Sequence, residues 1–185
     1  MSQDALRKAE DKMKKSIEAF ERDMAGMRTG RASPGLVDGI MVDYYGAMTP
    51  MKQLGTINTP EARLITIQAW DKNAVVAIEK AIQKANIGLT PNVDGMLIRL
   101  PIPALTEERR KEIVKLVHRR LEEAKIAVRN VRRDAIEELR ALEKDKRISQ
   151  DDQKRAETQL QKHTDTYTDK AQKASDAKEA EVMRV

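Results

Sequence analysis

TEERRKEIVKLVHRRLEEAKIAVRNVRRDAIEELRAL, residues 106–142, has neither glycine nor proline and sets apolar side chains at Ile113, Val117, Leu121, Ala124, Val128, Val131, Ala135, Leu139 and Leu142. Steps of three and four put these on one stripe of an α-helix. Thr106 supplies an N-cap oxygen, and Glu107 and Glu108 place negative charge at the positive end of the helix dipole. At about 1.5 Å of rise per residue such a rod reaches on the order of 55 Å. Its stripe has to be buried along that length, so the rest of the chain must supply long partners.

Two partners are legible. Upstream, Leu6, Ala9, Met13, Ile17, Phe20, Met24 and Met27 recur with the same period, predicting a helix that ends near Gly30. Downstream, a break near residues 145–148 is followed by Ser149 with Asp151 and Asp152, a capping signature. A third helix then runs through Ala156, Leu160, His163, Tyr167, Ala171 and Ala174. Three stripes of this kind make a three-helix bundle.

Residues 31–104 read differently. Nearly all of the chain's turn residues lie here, and apolar alternation replaces the helical period. Residues 39–45, 54–58, 63–70 and 96–100 are rich in Ile, Val, Tyr and Thr and predict short strands. Val75, Ile78, Ala81, Ile82 and Ala85 predict a helix over residues 74–85, and Asp94-Gly95 signals a turn before the last strand. The expected fold is α+β: an elongated three-helix bundle from residues 1–30 and 105–185, with a small β/α/β domain, residues 31–104, inserted into it. Two segments, residues 28–34 and 101–106, then connect the parts. They predict a two-stranded hinge, with a rigid junction stiffened by its prolines as the alternative.

The 185 residues carry a formal charge of +5, with 35% charged and only 3% aromatic side chains. That composition suits narrow helices with small seams, and the basic excess favours a polyanionic partner met through a local footprint. The absence of cysteine excludes disulfides, zinc ribbons, iron–sulfur clusters and thiol nucleophiles. No apolar run approaches the roughly 20 residues that span a bilayer, and Met1-Ser2-Gln3-Asp4-Ala5 lacks the sections of a signal peptide, so a cytoplasmic location without membrane contact is expected.

Catalysis needs acids, bases or nucleophiles brought together. The histidines are His118 and His163, each on a long helix without a recognisable companion; His163 falls on an apolar series and predicts a core or boundary position. Phosphate-binding loops, dinucleotide fingerprints and nucleophile elbows are missing. A binding protein is expected rather than an enzyme.

At roughly 100° per residue, Lys111, Lys115, His118, Lys125, Arg129, Arg132, Arg133 and Arg140 share one sector of the second long helix, with Glu122 the acid among them. Glu112, Glu123, Asp134, Glu137 and Glu138 fall elsewhere, where Arg109, Arg119 and Arg120 have acids within three or four residues. A solvated face gains most from mixed signs, whereas Arg129, Arg132 and Arg133 within one turn repel one another unless an anionic partner relieves them. Planar guanidinium forks suit bidentate phosphate contacts, and the scarcity of aromatics argues against stacking on single-stranded bases, so structured RNA fits best. A helical adaptor for protein clients and a DNA-binding helical protein remain the rival readings.

The chain resembles the bacterial ribosome recycling factor family over almost its whole length. The likeness rests on Met27-Arg28-Thr29-Gly30-Arg31-Ala32-Ser33-Pro34, on Asp43-Tyr44-Tyr45-Gly46 with Thr49-Pro50 and Gln53-Leu54, and on Ile65-Thr66-Ile67-Gln68 before Trp70-Asp71. Leu100-Pro101-Ile102-Pro103, Leu105-Thr106-Glu107-Glu108-Arg109-Arg110-Lys111 and Ala127-Val128-Arg129-Asn130-Val131-Arg132-Arg133-Asp134 complete it. Ala69 stands where many relatives place a proline, and the third helix matches weakly beyond residues 149–152, so no site is carried over there.

The resemblance implies an L-shaped monomer with dimensions like transfer RNA, needing neither cofactor nor metal. Its implied partners are the ribosome, at large-subunit ribosomal RNA on the intersubunit face, and elongation factor G. With that factor and GTP the family splits the post-termination complex and releases messenger and deacylated transfer RNA. Arg129 and Arg132 are the implied principal RNA contacts, with Arg110, Arg133 and Lys125 as neighbours and Arg28 and Arg31 beside the elbow. The implied hinge comprises Thr29, Gly30 and Arg31 in one segment and Pro103, Ala104 and Leu105 in the other.

Overall fold

A computed structural model describes residues 1–184 of the chain. In order, the elements are α1 (Ser2–Ala25), β1 (Met41–Tyr44), β2 (Ala47–Pro50), β3 (Gly55–Glu61), β4 (Leu64–Ala69), α2 (Lys72–Ala85), β5 (Asn92–Asp94), β6 (Leu97–Pro101), α3 (Glu107–Lys144) and α4 (Gln150–Met183), with short 3-10 turns at Pro34–Leu36 and Met51–Gln53. The fold is α+β. It divides into two compact units, one formed by Met1–Met24 with the chain from Lys111 onward, the other by Ala25–Arg110.

In the first unit α1, α3 and α4 bury their stripes against one another: Met13, Ile17, Val117, Val128, Leu139, Leu160 and Ala171 are all essentially inaccessible. Helix α1 stops at Ala25, short of the Gly30 expected from periodicity, because Gly26 follows directly and favours leaving the helix; Met27 therefore lies outside it. Thr106 caps α3 as its sequence predicts, its Oγ1 accepting from the Arg109 amide at 3.1 Å. At the other end the Arg147 amide donates to Leu142 O and the Lys146 amide to Glu143 O, with Lys146 at φ 56°. This is a Schellman closure in which lysine takes the left-handed position usually given to glycine. Ser149 then opens α4 with a reciprocal box: its Oγ accepts from the Asp152 amide, and Asp152 Oδ2 accepts from the Ser149 amide.

The apolar series of α4 faces the core at Ala156, Leu160, Tyr167 and Ala171, and His163 takes the boundary position, one of the two expected for it; Ala174 is half-buried, and the core also takes in Thr164 and Ser175, which the series omits. Thr164 is tolerated inside because its hydroxyl donates back to Leu160 O at 2.9 Å. His163 instead places Nδ1 3.5 Å from Glu10 Oε1 of α1, and Tyr167 OH donates to the same oxygen at 3.4 Å. Val131 and Leu142 of α3 are likewise half-buried.

In the second unit the sheet is split. Strands β1 and β2 form an antiparallel hairpin, and the other four make an antiparallel sheet in the order β3-β4-β6-β5, where four strands of one sheet were expected. β2 escapes alternation analysis because it is largely exposed and ends in Pro50; β5 is exposed at every residue. Helix α2 packs on β1, β4 and β6, closing a core of Val42, Ile65, Ile67, Ile78, Ile82, Ile98 and Leu100. The β1–β2 turn holds Tyr45 and Gly46 at φ 52° and 80°, the paired positive values of a type I′ hairpin.

Both connecting segments are fastened within this unit. The Ala32 amide donates to Ala62 O and the Ile102 amide to Arg63 O, so the β3–β4 turn holds one strand with each of two adjacent carbonyls. Gly30, at φ 77°, lies so close to Leu105 that an added Cβ would stand 3.1 Å from Leu105 Cγ. The two compact units divide at residues 24/25 and 110/111, so both connecting segments belong to the sheet unit.

Candidate nucleic-acid interface

The basic sector of α3 resolves into an inner and an outer row. The inner row is tied to α4. His118 Nε2 lies 2.8 Å from Glu179 Oε2, Lys125 Nζ donates to Gln172 Oε1 at 2.9 Å, and Arg132 Nη1 donates to Gln161 Oε1 at 2.7 Å. Since residue numbers rise on α3 as they fall on α4, the two helices are antiparallel. Arg129 and Arg133 form the outer row. Arg129 remains 57% exposed, with Glu122 at 3.9 Å, and Arg133 donates to Asn130 Oδ1 at 3.4 Å. Glu122 also stands 3.9 Å from Lys125, so the acid within the sector is shared between two cations at long range. Surface pairs of this length contribute little, and the edge keeps its positive character.

The four α3 side chains Lys125, Arg129, Arg132 and Arg133 are thus brought together along about two turns of one helix. Arg132 is the most constrained of them: half-buried, with its Nε buried and lacking a hydrogen-bond partner. On the opposite flank Arg120 pairs with Glu123 at 3.2 Å, the local neutralisation expected there. Arg28, Arg31 and Arg110 belong to the second unit and are all half-buried. Arg28 braces the fold of that unit, its Nη1 donating to Ile87 O at 3.3 Å, just beyond the left-handed Asn86 that ends α2.

Sequence reading missed Gln161 and Gln172. The available signal was a pair of Gln–Asp steps one turn long, Gln161 with Asp165 and Gln172 with Asp176, repeated on α4. Of the few aromatic side chains, Tyr45 and Trp70 are 76% and 61% exposed, neither on α3 and both in the second unit. There the Tyr44 hydroxyl donates to Asp71 Oδ2 at 2.6 Å, and Asp71 Oδ1 accepts from the Ala74 amide to cap α2. That hydrogen bond raises the Tyr44 pKa to about 12, with partial desolvation adding to the rise, and holds the Asp71 carboxyl below its usual range.

Among the described residues no cluster of three or more His, Asp or Glu is placed to hold a metal ion. No helix of the described chain is long and apolar enough to cross a membrane.

A helical unit whose α3 carries a basic edge, with a small sheet unit beside it in the chain, suits a binding protein that meets a polyanion. Residues 20–183 match the family model described as ribosome recycling factor. The chain belongs to the ribosome recycling factor family. It is 50% identical over 185 residues, covering all of both chains, to the ribosome-recycling factor of Thermomicrobium roseum, and 51% identical over the same span to that of Bacillus subtilis. A solution structure of the ribosome recycling factor superposes with a TM-score of 0.83 at 50% identity, covering 100% of this chain and 98% of that one. The T. thermophilus factor, in models of it and E. coli elongation factor G bound to the E. coli post-termination complex, superposes with a TM-score of 0.72 at 41% identity over the whole of both chains.

Proposed function

We propose that this protein binds the ribosome after termination and, with elongation factor G and GTP, promotes subunit splitting and release of messenger RNA and deacylated transfer RNA. Membership of the ribosome recycling factor family carries the reading as a whole, and the observation that supports docking on RNA is the segregation of Lys125, Arg129, Arg132 and Arg133 on one edge of α3. Phosphates of folded ribosomal RNA are the partner such an edge suits, because guanidinium forks read backbone geometry rather than base sequence. The T. thermophilus relative, described with elongation factor G on the post-termination complex, supports the same assignment.

Arg129 and Arg132 are assigned the principal contacts to large-subunit RNA at the intersubunit face, flanked by Arg133, Lys125 and Arg110. Arg31 is assigned to the elbow beside that RNA, and Arg28 combines this position with bracing the end of α2. The joint is assigned to Thr29, Gly30 and Arg31 with Pro103, Ala104 and Leu105. The hydrogen bonds of Ala32 and Ile102 to the β3–β4 turn set its limit on the sheet side. Motion there converts the stroke of elongation factor G into force while the helical unit stays anchored. GTP hydrolysis belongs to elongation factor G, and this chain acts as a cytoplasmic monomer.

The test is breakdown of polysomes by the purified protein with elongation factor G and GTP, comparing it with Arg132→Ala. Loss of breakdown by the variant, with unchanged thermal stability, is the expected result. Full activity of Arg132→Ala would remove the assignment of the docking edge.

A further inference from the structure

Arg132, Lys125 and His118 recur every seven residues on α3, and each meets one side chain of α4. Two of those three partners are neutral amides, and both are themselves restrained. Gln161 Nε2 donates to Asp165 Oδ1 at 2.8 Å, and Gln172 Nε2 donates to Asp176 Oδ1 at 3.0 Å. The two relays lie eleven residues apart on α4, close to three whole turns, so they occupy one stripe beside the basic edge.

The chemistry of an amide explains the arrangement. A glutamine side chain offers an acceptor oxygen and a donor nitrogen that exchange places when it flips. An aspartate one turn on accepts only, so it engages the nitrogen and leaves the oxygen for the cation. The oxygen then restrains the guanidinium or ammonium without cancelling its charge. A carboxylate in the same place would hold the cation equally well but would neutralise the field that attracts phosphate. With Arg132 Nε buried and one Nη1 hydrogen given to Gln161, the remaining N–H groups of the fork are left in a defined direction.

We infer that Gln161 is a positioning residue for RNA docking: oriented by Asp165, it holds Arg132 in the geometry that receives a phosphate. Gln172 and Asp176 do the same for Lys125. This inference rests on the reading of the α3 edge as the docking surface. Ordering one long side chain before binding removes a cost otherwise incurred on association. Loss of Gln161 therefore weakens binding about three- to tenfold, less than loss of Arg132 itself.

The experiment is equilibrium binding of the full-length protein to purified large subunits for wild type, Gln161→Ala, Arg132→Ala and the double variant. Position 161 is exposed on a helix and alanine is a good helix former, so folding is preserved. A three- to tenfold loss for Gln161→Ala that disappears in the Arg132→Ala background is the supporting result, because only action through Arg132 produces that coupling. Gln161→Glu supplies a second readout: its carboxylate still accepts from Arg132 but has no N–H for Asp165, and the added negative charge lowers affinity and flattens its salt dependence. Wild-type affinity of Gln161→Ala beside a weakened Arg132→Ala overturns the positioning role and leaves the docking edge standing. An equal loss in both backgrounds also overturns it, since Gln161 would then touch RNA on its own account. Wild-type affinity of Arg132→Ala overturns both readings together.

Discussion

Arg132 concentrates the properties expected of a binding hot spot: a long side chain partly withdrawn from water, one end restrained, the charge kept. Replacing it by alanine is expected to cost about 1–3 kcal/mol of large-subunit binding. Arg132→Lys restores only part of that, since an ammonium keeps the charge but loses the planar fork; both are read from binding isotherms at one salt concentration. Asp71 and Tyr44 give a residue-scale prediction of a different kind. With its folded pKa lowered, Asp71 adds stability that is present above the ordinary aspartate value of about 3.9 and drains away as pH falls through the lower, folded value. Tyr44, raised to about 12, adds stability that is complete below the ordinary tyrosine value of about 10 and is lost as pH climbs through 12. Tyr44→Phe should therefore lower the melting temperature between those limits and reduce the difference from wild type at both extremes. A variant whose deficit is the same at every pH would show that the hydrogen bond does not link the two titrations.

Among the elements, α4 best separates local from tertiary control. Its start is local: Ser149 and Asp152 satisfy each other's backbone amides. Ser149→Ala is expected to cost about 1 kcal/mol in equilibrium denaturation. Its buried face is tertiary. Ser175 is 1% exposed, and its hydroxyl has no hydrogen-bond partner among the described residues. Ser175→Ala should stabilise the protein by about 1 kcal/mol, as removing an unsatisfied buried hydroxyl recovers its desolvation cost. A destabilised Ser175→Ala would mean that the hydroxyl is satisfied after all. The small sheet teaches the converse lesson. β4 and β6 alternate buried and exposed side chains and announce themselves, whereas β2 and β5 bury too little to leave an apolar period.

At the scale of the whole molecule, binding to the ribosome should respond to salt as a phosphate-dominated interaction does. The logarithm of the association constant should fall linearly with the logarithm of salt concentration as condensed counterions are released. Removing a single phosphate-contacting cation, as in Arg129→Ala, should reduce that slope by roughly 1. An unchanged slope in the variant, measured by sedimentation with large subunits across a salt series, would take Arg129 out of the contact set. The two units also divide the labour of stability. The helical unit depends on stripes of apolar side chains, while the sheet unit secures both connecting segments to its β3–β4 turn and braces α2 with Arg28.

Repeated apolar spacing, capping residues and turn chemistry act over a few residues, so the amino-acid sequence by itself determined the three long helices, their starts at Thr106 and Ser149, the inserted α/β unit and the basic sector of α3. Other features depend on which surfaces meet. Thr164 and Ser175 join Ala156, Leu160, Tyr167 and Ala171 in the core because packing among three helices, not side-chain polarity, sets which positions of α4 are covered. Gln161 comes opposite Arg132, and Gln172 opposite Lys125, because the antiparallel register of α3 and α4 is set by all their buried contacts together. No local pattern encodes that register, and only the folded chain decides which cations are held and which stay loose.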